Sequence, residues 1–223
     1  MMHESESRRS NPADAGNQRP PPCLPGFGHV SRFVDMREAG ASTATILPGQ
    51  YYVTRQPEVI LTVLGSCIAV CAFDLRSGIG GMNHFMLPEA SEYSSSSSKV
   101  NKSALYGSFA MEKLVNDILR NGGSRERLQF KIFGGGSILP GKQAIGRKNI
   151  EFVKRYLADE GYDIVAEDVG SDYPRKVKFY ALTGKVQLKR VPRSDCSDLL
   201  ISETKLDSVP PPVEPQSGEL DLF

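Results

Sequence analysis

Apolar and polar positions along the middle of the chain alternate or cluster in patterns that predict both strands and helices. Short apolar, β-branched runs bounded by Gly, Pro or charged residues are typical of strands. Two longer stretches repeat apolar residues at helical spacing and end at Gly122 and Gly161. The predicted strands are 50–55, 58–64, 68–74, 79–87, 128–135, 162–170 and a terminal hairpin within 177–191, and the predicted helices are 105–123 and 149–161.

Hairpins mixed with isolated helices predict an α/β (α+β) fold, a layered sandwich of mixed or antiparallel β-sheet with helices packed on it. Residues 27–192 contain all of these elements and form the predicted domain. The flanking residues 1–26 and 193–223 are rich in Pro, Ser and charge, so we expect two disordered tails. The serine run within Ser91–Val100 predicts a mobile loop directly after a strand.

Composition narrows the classes of function. A net charge of +1 over 223 residues supplies no field that would steer nucleic acid or an anionic membrane to the surface. The N-terminus lacks a hydrophobic signal core, and no apolar run approaches the roughly 20 residues of a membrane-spanning helix. We therefore expect a cytoplasmic protein with reduced thiols. Four cysteines and three histidines give no zinc-type spacing, and we expect neither a metal nor a cofactor.

A cysteine and a histidine flank the first predicted hairpin. If Phe73 faces Gly78 across the turn, opposed residue numbers sum to 151 and Cys67 lies directly opposite His84. A register one residue longer makes Cys67 a neighbour of Phe85 and turns the histidine to the other face of the sheet. The sequence leaves this choice open.

Such a pair would support acyl transfer. A neighbouring imidazolium lowers the pKa of a thiol, and the thiolate of Cys67 could attack a carbonyl carbon while His84 protonates the leaving group. The amides of Gly65, Ser66 or the cysteine itself could donate to the oxyanion. The alternative is that both residues are ordinary interior side chains, which is how we interpret Cys71.

Several blocks of sequence, in order, resemble the CheD family of bacterial chemoreceptor glutamine deamidases. The resemblance runs from about Pro48 to Val191, and the tails lie outside it. The blocks are LGSCIAVCAFD, GIGGMNHFMLP, KIFGGGSIL, IGRKNIEFVKRYLADEGYDIVAEDVGS and TGKVQLKRV.

The resemblance implies hydrolysis of selected glutamine side chains on methyl-accepting chemotaxis receptors to glutamates, with release of ammonia through a thioester. It also implies a fold similar to the catalytic domain of the cytotoxic necrotising factors. By motif position it places the nucleophile on Cys67 and the histidine on His84. The expected site is a shallow slot that admits one glutamine from a receptor helix. A CheC-type phosphatase is a possible partner, and a non-catalytic receptor- or CheC-binding adaptor is the alternative function.

The family's third catalytic residue does not transfer cleanly. It is a threonine six residues before the nucleophile, and this chain has Leu61 there, with Thr62 next to it. On an unbulged strand Thr62 would face away from Cys67. Thr62, Asn83 or a backbone carbonyl could therefore orient the imidazole of His84.

A glycine run begins at the end of the predicted strand 128–135 and continues one residue beyond it. It lacks the Gly-Lys-Ser/Thr ending of a phosphate-binding loop, so nucleotide binding is not expected. The resemblance makes it part of a family signature. We expect Gly134, Gly135, Gly136 and Ser137 either to allow close backbone approach beside the active site or to form a purely structural turn.

Overall fold

A computed structural model describes residues 19–35, 38, 41–87, 98–138 and 143–192, with side chains described from Tyr106 in the first helix and from Ala144 in the second. These residues form ten strands and two α-helices. The strands are β1 Ser31–Asp35, β2 Ala41–Thr45, β3 Tyr51–Thr54, β4 Val59–Leu64, β5 Ile68–Asp74, β6 Ile79–Phe85, β7 Gln129–Gly134, β8 Ile164–Val169, β9 Arg175–Tyr180 and β10 Lys185–Arg190, and the helices are α1 Ser98–Arg120 and α2 Gln143–Asp159.

The strands form two mixed sheets. The first sheet has the order β1-β2-β4-β9-β10, and the second has the order β3-β6-β5-β7-β8. β2 and β4 are parallel, as are β7 and β8, and the other pairs are antiparallel. The chain moves from the first sheet to the second between β4 and β5, which are consecutive in sequence but belong to different layers.

The two sheets pack face to face, and the helices cover the other face of the second sheet. Between the sheets, the rings of Phe73 and Phe179 have centroids 6.0 Å apart. On the helical side, Phe85 of β6 packs edge-on against Phe152 of α2, with centroids 6.0 Å apart. The result is an α+β sandwich of three layers, sheet, sheet and helices, which agrees with the predicted fold class. No helix among the described residues is long and apolar enough to span a membrane.

Most of the predicted elements are present, with two additions and two shifted boundaries. β1 and β2 are not predicted, because their polar-rich sequences lack a clear apolar run. Both helices begin earlier than predicted. The first includes Ser98–Val100, the end of the predicted mobile loop, whose earlier residues lie outside the described part of the chain. The tail predictions likewise fall largely outside it, although Cys23 and Leu24 pack against the core.

The β5–β6 hairpin has neither of the two registers that the sequence left open. Asp74 faces Ile79 and Ala69 faces His84, so opposed residue numbers sum to 153 instead of 151. The Asp74 carboxylate explains the shift, because it accepts hydrogen bonds from the amides of Arg76 and Ser77 at 3.0 and 3.2 Å and so closes the turn. Gly78, with φ +58°, is then a turn residue and not the first residue of a strand.

Candidate active site

The predicted nucleophile lies where the chain crosses between the sheets. Gly65, Ser66 and Cys67 form a bend that leaves β4 in the first sheet and enters β5 in the second, and we call these three residues the nucleophile loop. Side chains alternate between the two faces of a sheet only along a continuous strand, and this bend interrupts the strand. The expectation that Thr62 faces away from Cys67 assumed an uninterrupted strand and therefore does not apply.

Thr62 and His84 are in direct contact across the two sheets. The Thr62 hydroxyl lies 2.8 Å from Nδ1 of His84 and donates to the carbonyl of Ile46 at 2.9 Å. Its single proton is used in the bond to Ile46, so the hydroxyl must accept a proton from Nδ1. The neighbouring Leu61, at the family's threonine position, points to the outer face of the first sheet.

This hydrogen bond fixes the tautomer of His84. With the proton on Nδ1, the other ring nitrogen, Nε2, carries a lone pair. Nε2 is buried and has no hydrogen-bond partner among the described residues. Burial lowers the pKa of His84 from 6.5 to about 3, so the ring is neutral at physiological pH. A neutral ring with a lone pair on Nε2 can accept a proton, and burial disfavours a standing imidazolium.

His84 pairs with Ala69, two residues after Cys67, and Phe85 pairs with Ile68, the residue after the cysteine. Cys67 itself precedes β5 and belongs to the bend, so it lies next to this pair of strands, at the end where β5 begins. The cysteine is therefore not directly opposite the histidine, as the predicted register would have it.

All three carbonyls of the nucleophile loop accept hydrogen bonds from outside the loop. The Gly136 amide donates to the Gly65 carbonyl at 2.7 Å, and the Gly135 amide donates to the Cys67 carbonyl at 2.7 Å. The side chain of Asn149 donates to the Ser66 carbonyl at 2.9 Å. These bonds fix the orientation of the peptide planes on both sides of the cysteine.

The glycine run makes this contact possible. Gly134 has φ +110°, and a Cβ there would lie 2.2 Å from the carbonyl oxygen of Cys67. Only glycine fits such a close approach. Arg175 is fully buried on β9. It donates hydrogen bonds to the carbonyls of Gly134 and Gly170, each at 2.7 Å, and so stabilises the backbone of the glycine run. The run is thus a backbone clamp on the nucleophile loop.

Two of the candidate residues are not brought to the thiol and the imidazole. The Asn83 amide donates to the carbonyl of Ala110 at 3.1 Å and accepts from the amide of Val70 at 3.0 Å, on the helical face of the second sheet. It therefore faces away from the ring of His84. The backbone amide of Ser137 donates to the carbonyl of Ser171 at 2.7 Å, whereas the amides of Gly135 and Gly136 donate to the nucleophile loop.

Two further residues contact the site without having been predicted. Tyr106 of α1 is the first, and burial, followed by the charge of Cys67, raises the pKa of its phenol. A Cβ on Gly49 would lie 3.6 Å from the Tyr106 hydroxyl, and the Gly49 amide donates to the carbonyl of His84 at 2.7 Å. Asn149 of α2 is the second. Both belong to amphipathic helices, where nothing in the local pattern distinguishes them.

The site is closed in this structure. Cys67 and His84 are 0% and 1% exposed. The expected shallow slot is therefore not open at the thiol.

The chain has relatives over nearly its whole length. It is 45% identical over 215 residues to a protein from Hahella chejuensis, which covers 96% of this chain and 100% of the relative. It is 48% identical over 182 residues to a protein from Methylobacillus flagellatus, which covers 81% of this chain and 89% of the relative. Both relatives are named "Probable chemoreceptor glutamine deamidase CheD". This chain belongs to the CheD family.

The family model and the near full-length relatives cover different parts of the candidate site. Residues 86–190 match the family described as CheD chemotactic sensory transduction, a range that includes the glycine run and Asn149 but begins after His84. The first part of the site is covered by the near full-length relatives instead. A solved structure of a Neisseria meningitidis protein of the DUF152 family superposes with a TM-score of 0.38 at 9% identity, covering 61% of this chain and 66% of that one. A score this low carries no argument about fold or function.

Proposed function

We propose that this protein hydrolyses glutamine side-chain amides of chemoreceptors to glutamates and releases ammonia. Its relatives in the CheD family carry the name of that activity. The observation that carries the proposal for the chemistry is the bond from His84 Nδ1 to Thr62, which leaves Nε2 free to accept a proton next to the nucleophile loop.

The reaction begins from a neutral pair. Nε2 of His84 takes the proton of the Cys67 thiol as the sulfur attacks Cδ of the glutamine, which forms a tetrahedral oxyanion. The amides of Gly65, Ser66 and Cys67 are the proposed donors to that oxyanion, in a loop whose peptide planes are fixed by its carbonyl contacts. The imidazolium then gives its proton to the departing nitrogen, so that ammonia leaves and a γ-glutamyl thioester remains.

Water completes the cycle. His84 Nε2 accepts a proton from the water that attacks the thioester carbonyl, and the departing sulfur regains that proton. The sum is one amide and one water converted to one carboxylic acid and one ammonia. Thr62 keeps Nε2 in the proton-accepting form between steps, and no charged partner is required.

Substrate access requires a conformational change. Because both proposed reacting side chains are buried, a glutamine reaches Cys67 only after the residues that bury the thiol are displaced. A receptor helix bound across the surface supplies more binding free energy for that displacement than a free amino acid does.

The alternative function is a non-catalytic adaptor that binds receptors or a CheC-type phosphatase. The closed site favours it, because neither the thiol nor the imidazole reaches the surface. Leu61, at the position where the resemblance expects a threonine, does not favour the adaptor, because the neighbouring Thr62 makes the contact with the histidine. Three finer expectations stay predictions: a CheC-type partner, a cytoplasmic location and a fold similar to the cytotoxic necrotising factor catalytic domain.

The test compares wild type with Cys67→Ala and Cys71→Ala on the cytoplasmic fragment of a chemoreceptor. Cys71 is the matched control, because it is equally buried on the strand that begins directly after Cys67, and burial raises the pKa of its thiol. Ammonia release and the amide-to-acid mass change of each glutamine are measured. We expect turnover by wild type and Cys71→Ala and none by Cys67→Ala. Receptor binding without turnover by wild type would support the adaptor.

A further inference from the structure

A single buried side chain ties the nucleophile loop to the segment that leaves the histidine strand. Asn149 is 0% exposed on α2. Its Nδ2 donates to the carbonyl of Ser66 at 2.9 Å, and its Oδ1 accepts from the amide of Leu87 at 2.9 Å. Ser66 immediately precedes the proposed nucleophile, and Leu87 lies three residues after His84. The Ser66 hydroxyl adds a weaker contact between the same two segments, because it donates to the sulfur of Met86 at 3.7 Å.

The bridge requires an amide. One end of the side chain must donate to a carbonyl, and the other must accept from a backbone N–H. Leucine would leave both backbone groups buried and unpaired, and an ionised aspartate would set a negative oxygen against the carbonyl of Ser66. This position therefore requires a side chain with one donor and one acceptor, in addition to a suitable volume.

The helix that carries Asn149 is itself packed against the glycine clamp. A Cβ on Gly146, one turn earlier, would lie 2.5 Å from the carbonyl oxygen of Gly135. A Cβ on Gly135 would in turn lie 2.5 Å from Cγ1 of Ile150. Because the Gly135 amide also holds the carbonyl of Cys67, α2 contacts the nucleophile loop both directly and through the clamp.

We propose that Asn149 is a positioning residue that sets the spacing between Cys67 and His84. This proposal rests on the proposed function, in which these two side chains exchange a proton. Asn149 acts through the backbone on each side and does not touch the reacting atoms. Displacements of about 1 Å in a reacting pair can cost on the order of 100-fold in rate, so one bridging amide is sufficient to control turnover.

The test uses Asn149→Ser and Asn149→Asp, with Val153→Ala as the matched control. Val153 lies one turn further on the same helix and is fully buried, so its truncation destabilises the core without removing a hydrogen bond from either segment. Each folded variant is assayed for kcat, KM, thermal midpoint and the rate at which iodoacetamide alkylates Cys67. Asn149→Asp is assayed across pH, because its protonated form can donate to the Ser66 carbonyl and its ionised form cannot.

We expect Asn149→Ser to lower kcat and the alkylation rate of Cys67 roughly tenfold or more, with KM little changed, at a thermal midpoint similar to that of Val153→Ala. Asn149→Asp should regain activity as the pH falls and the acid becomes protonated. Equal kcat and alkylation rates in Asn149→Ser and Val153→Ala would overturn the positioning role and leave the deamidase proposal intact. Slow alkylation in Asn149→Ser, combined with no ammonia release by wild type, would support the positioning role and overturn the deamidase instead.

Discussion

His84 is bound at Nδ1 by a hydroxyl and not by a carboxylate. A hydroxyl orients the ring but does not stabilise its positive charge, so burial dominates and the pKa falls to about 3. In the proposed mechanism the imidazolium is therefore a transient species that forms only when the thiol gives up its proton, and the resting site holds no permanently reactive thiolate.

Thr62→Val tests the tautomer. Valine has a similar shape but cannot accept the Nδ1 proton, so the ring is free to turn or to change tautomer. We expect kcat to fall about 10- to 100-fold and the free energy of unfolding to fall by about 1–3 kcal/mol, because the Nδ1 proton and the Ile46 carbonyl lose a partner. Ammonia release and urea denaturation measure the two effects. Thr62→Ser keeps the hydroxyl and is the control, and equal kcat in the two variants would remove Thr62 from the mechanism.

The buried histidine also predicts how stability depends on pH. Its pKa is about 3 in the folded protein and 6.5 ordinarily, so between these values the unfolded chain binds a proton that the folded protein does not. The free energy of unfolding must therefore fall as the pH falls through this window, and it should be flat above about pH 7. From about pH 7.5 to about pH 5 the contribution is about 2 kcal/mol.

Urea denaturation of wild type and His84→Gln across this range measures that contribution. The other two histidines are present in both proteins, and carboxylates titrate mainly at lower pH. We expect a smaller decrease for His84→Gln. The same slope in both proteins would mean that the ring is not held neutral.

At the scale of elements, the site depends on the backbone clamp between the end of β7 and the nucleophile loop. The clamp requires glycine because the two backbones are closer than a side chain allows. The neighbouring α2 and the buried Arg175 hold the clamp in place. The geometry of the nucleophile therefore depends on three elements that are distant from it in sequence.

Gly134→Ala tests the clamp, and Gly161→Ala is its control. Both glycines have positive φ, at +110° and +72°, so each substitution strains the backbone by about 1–2 kcal/mol. A Cβ at Gly161 has nothing within 4 Å, whereas a Cβ at Gly134 would lie 2.2 Å from the Cys67 carbonyl. We expect Gly134→Ala to lose most of its deamidation rate and Gly161→Ala to keep it. Similar rates in the two variants, measured as folded proteins, would contradict the clamp.

The sequence predicts most elements but not how they are distributed between the sheets. β4 to β6 follow from apolar runs, and the hairpin follows from its turn residues. The crossing at Gly65–Cys67 cannot be predicted from the sequence. Two apolar strands joined by a bend have the same local pattern whether they belong to one sheet or to two. The Thr62–His84 contact depends on that crossing. Asn149 is similarly hidden, because a polar residue in an amphipathic helix usually faces solvent.

At the scale of the whole molecule, both proposed reacting side chains are buried. The family resemblance places the nucleophile and the histidine at the sites that the local chemistry also favours, yet the structure adds that both are closed from solvent. An enzyme of this kind would select its substrate by the binding free energy needed to open the site. The protein surface that binds the receptor would then control kcat as well as KM.

The dependence on a folded receptor can be measured. We expect free glutamine and a short peptide that contains the target glutamine to be turned over with a lower kcat than the receptor fragment, because they lack the contacts that displace the covering residues. Rates at saturating concentrations of each substrate separate kcat from KM. A short peptide with the same kcat as the fragment would show that opening does not depend on the receptor.

The most direct measurement is the rate at which iodoacetamide alkylates Cys67 and Cys71 in the presence of the receptor fragment, read by mass spectrometry in wild type and in His84→Gln at neutral pH. Both thiols are buried, on or next to the same strand, so they differ chiefly in their relation to His84. We predict that Cys67 reacts well ahead of Cys71 in wild type and loses that advantage in His84→Gln. Equal, slow rates for both thiols in both proteins would contradict the account, because Cys67 would then be an inert core residue.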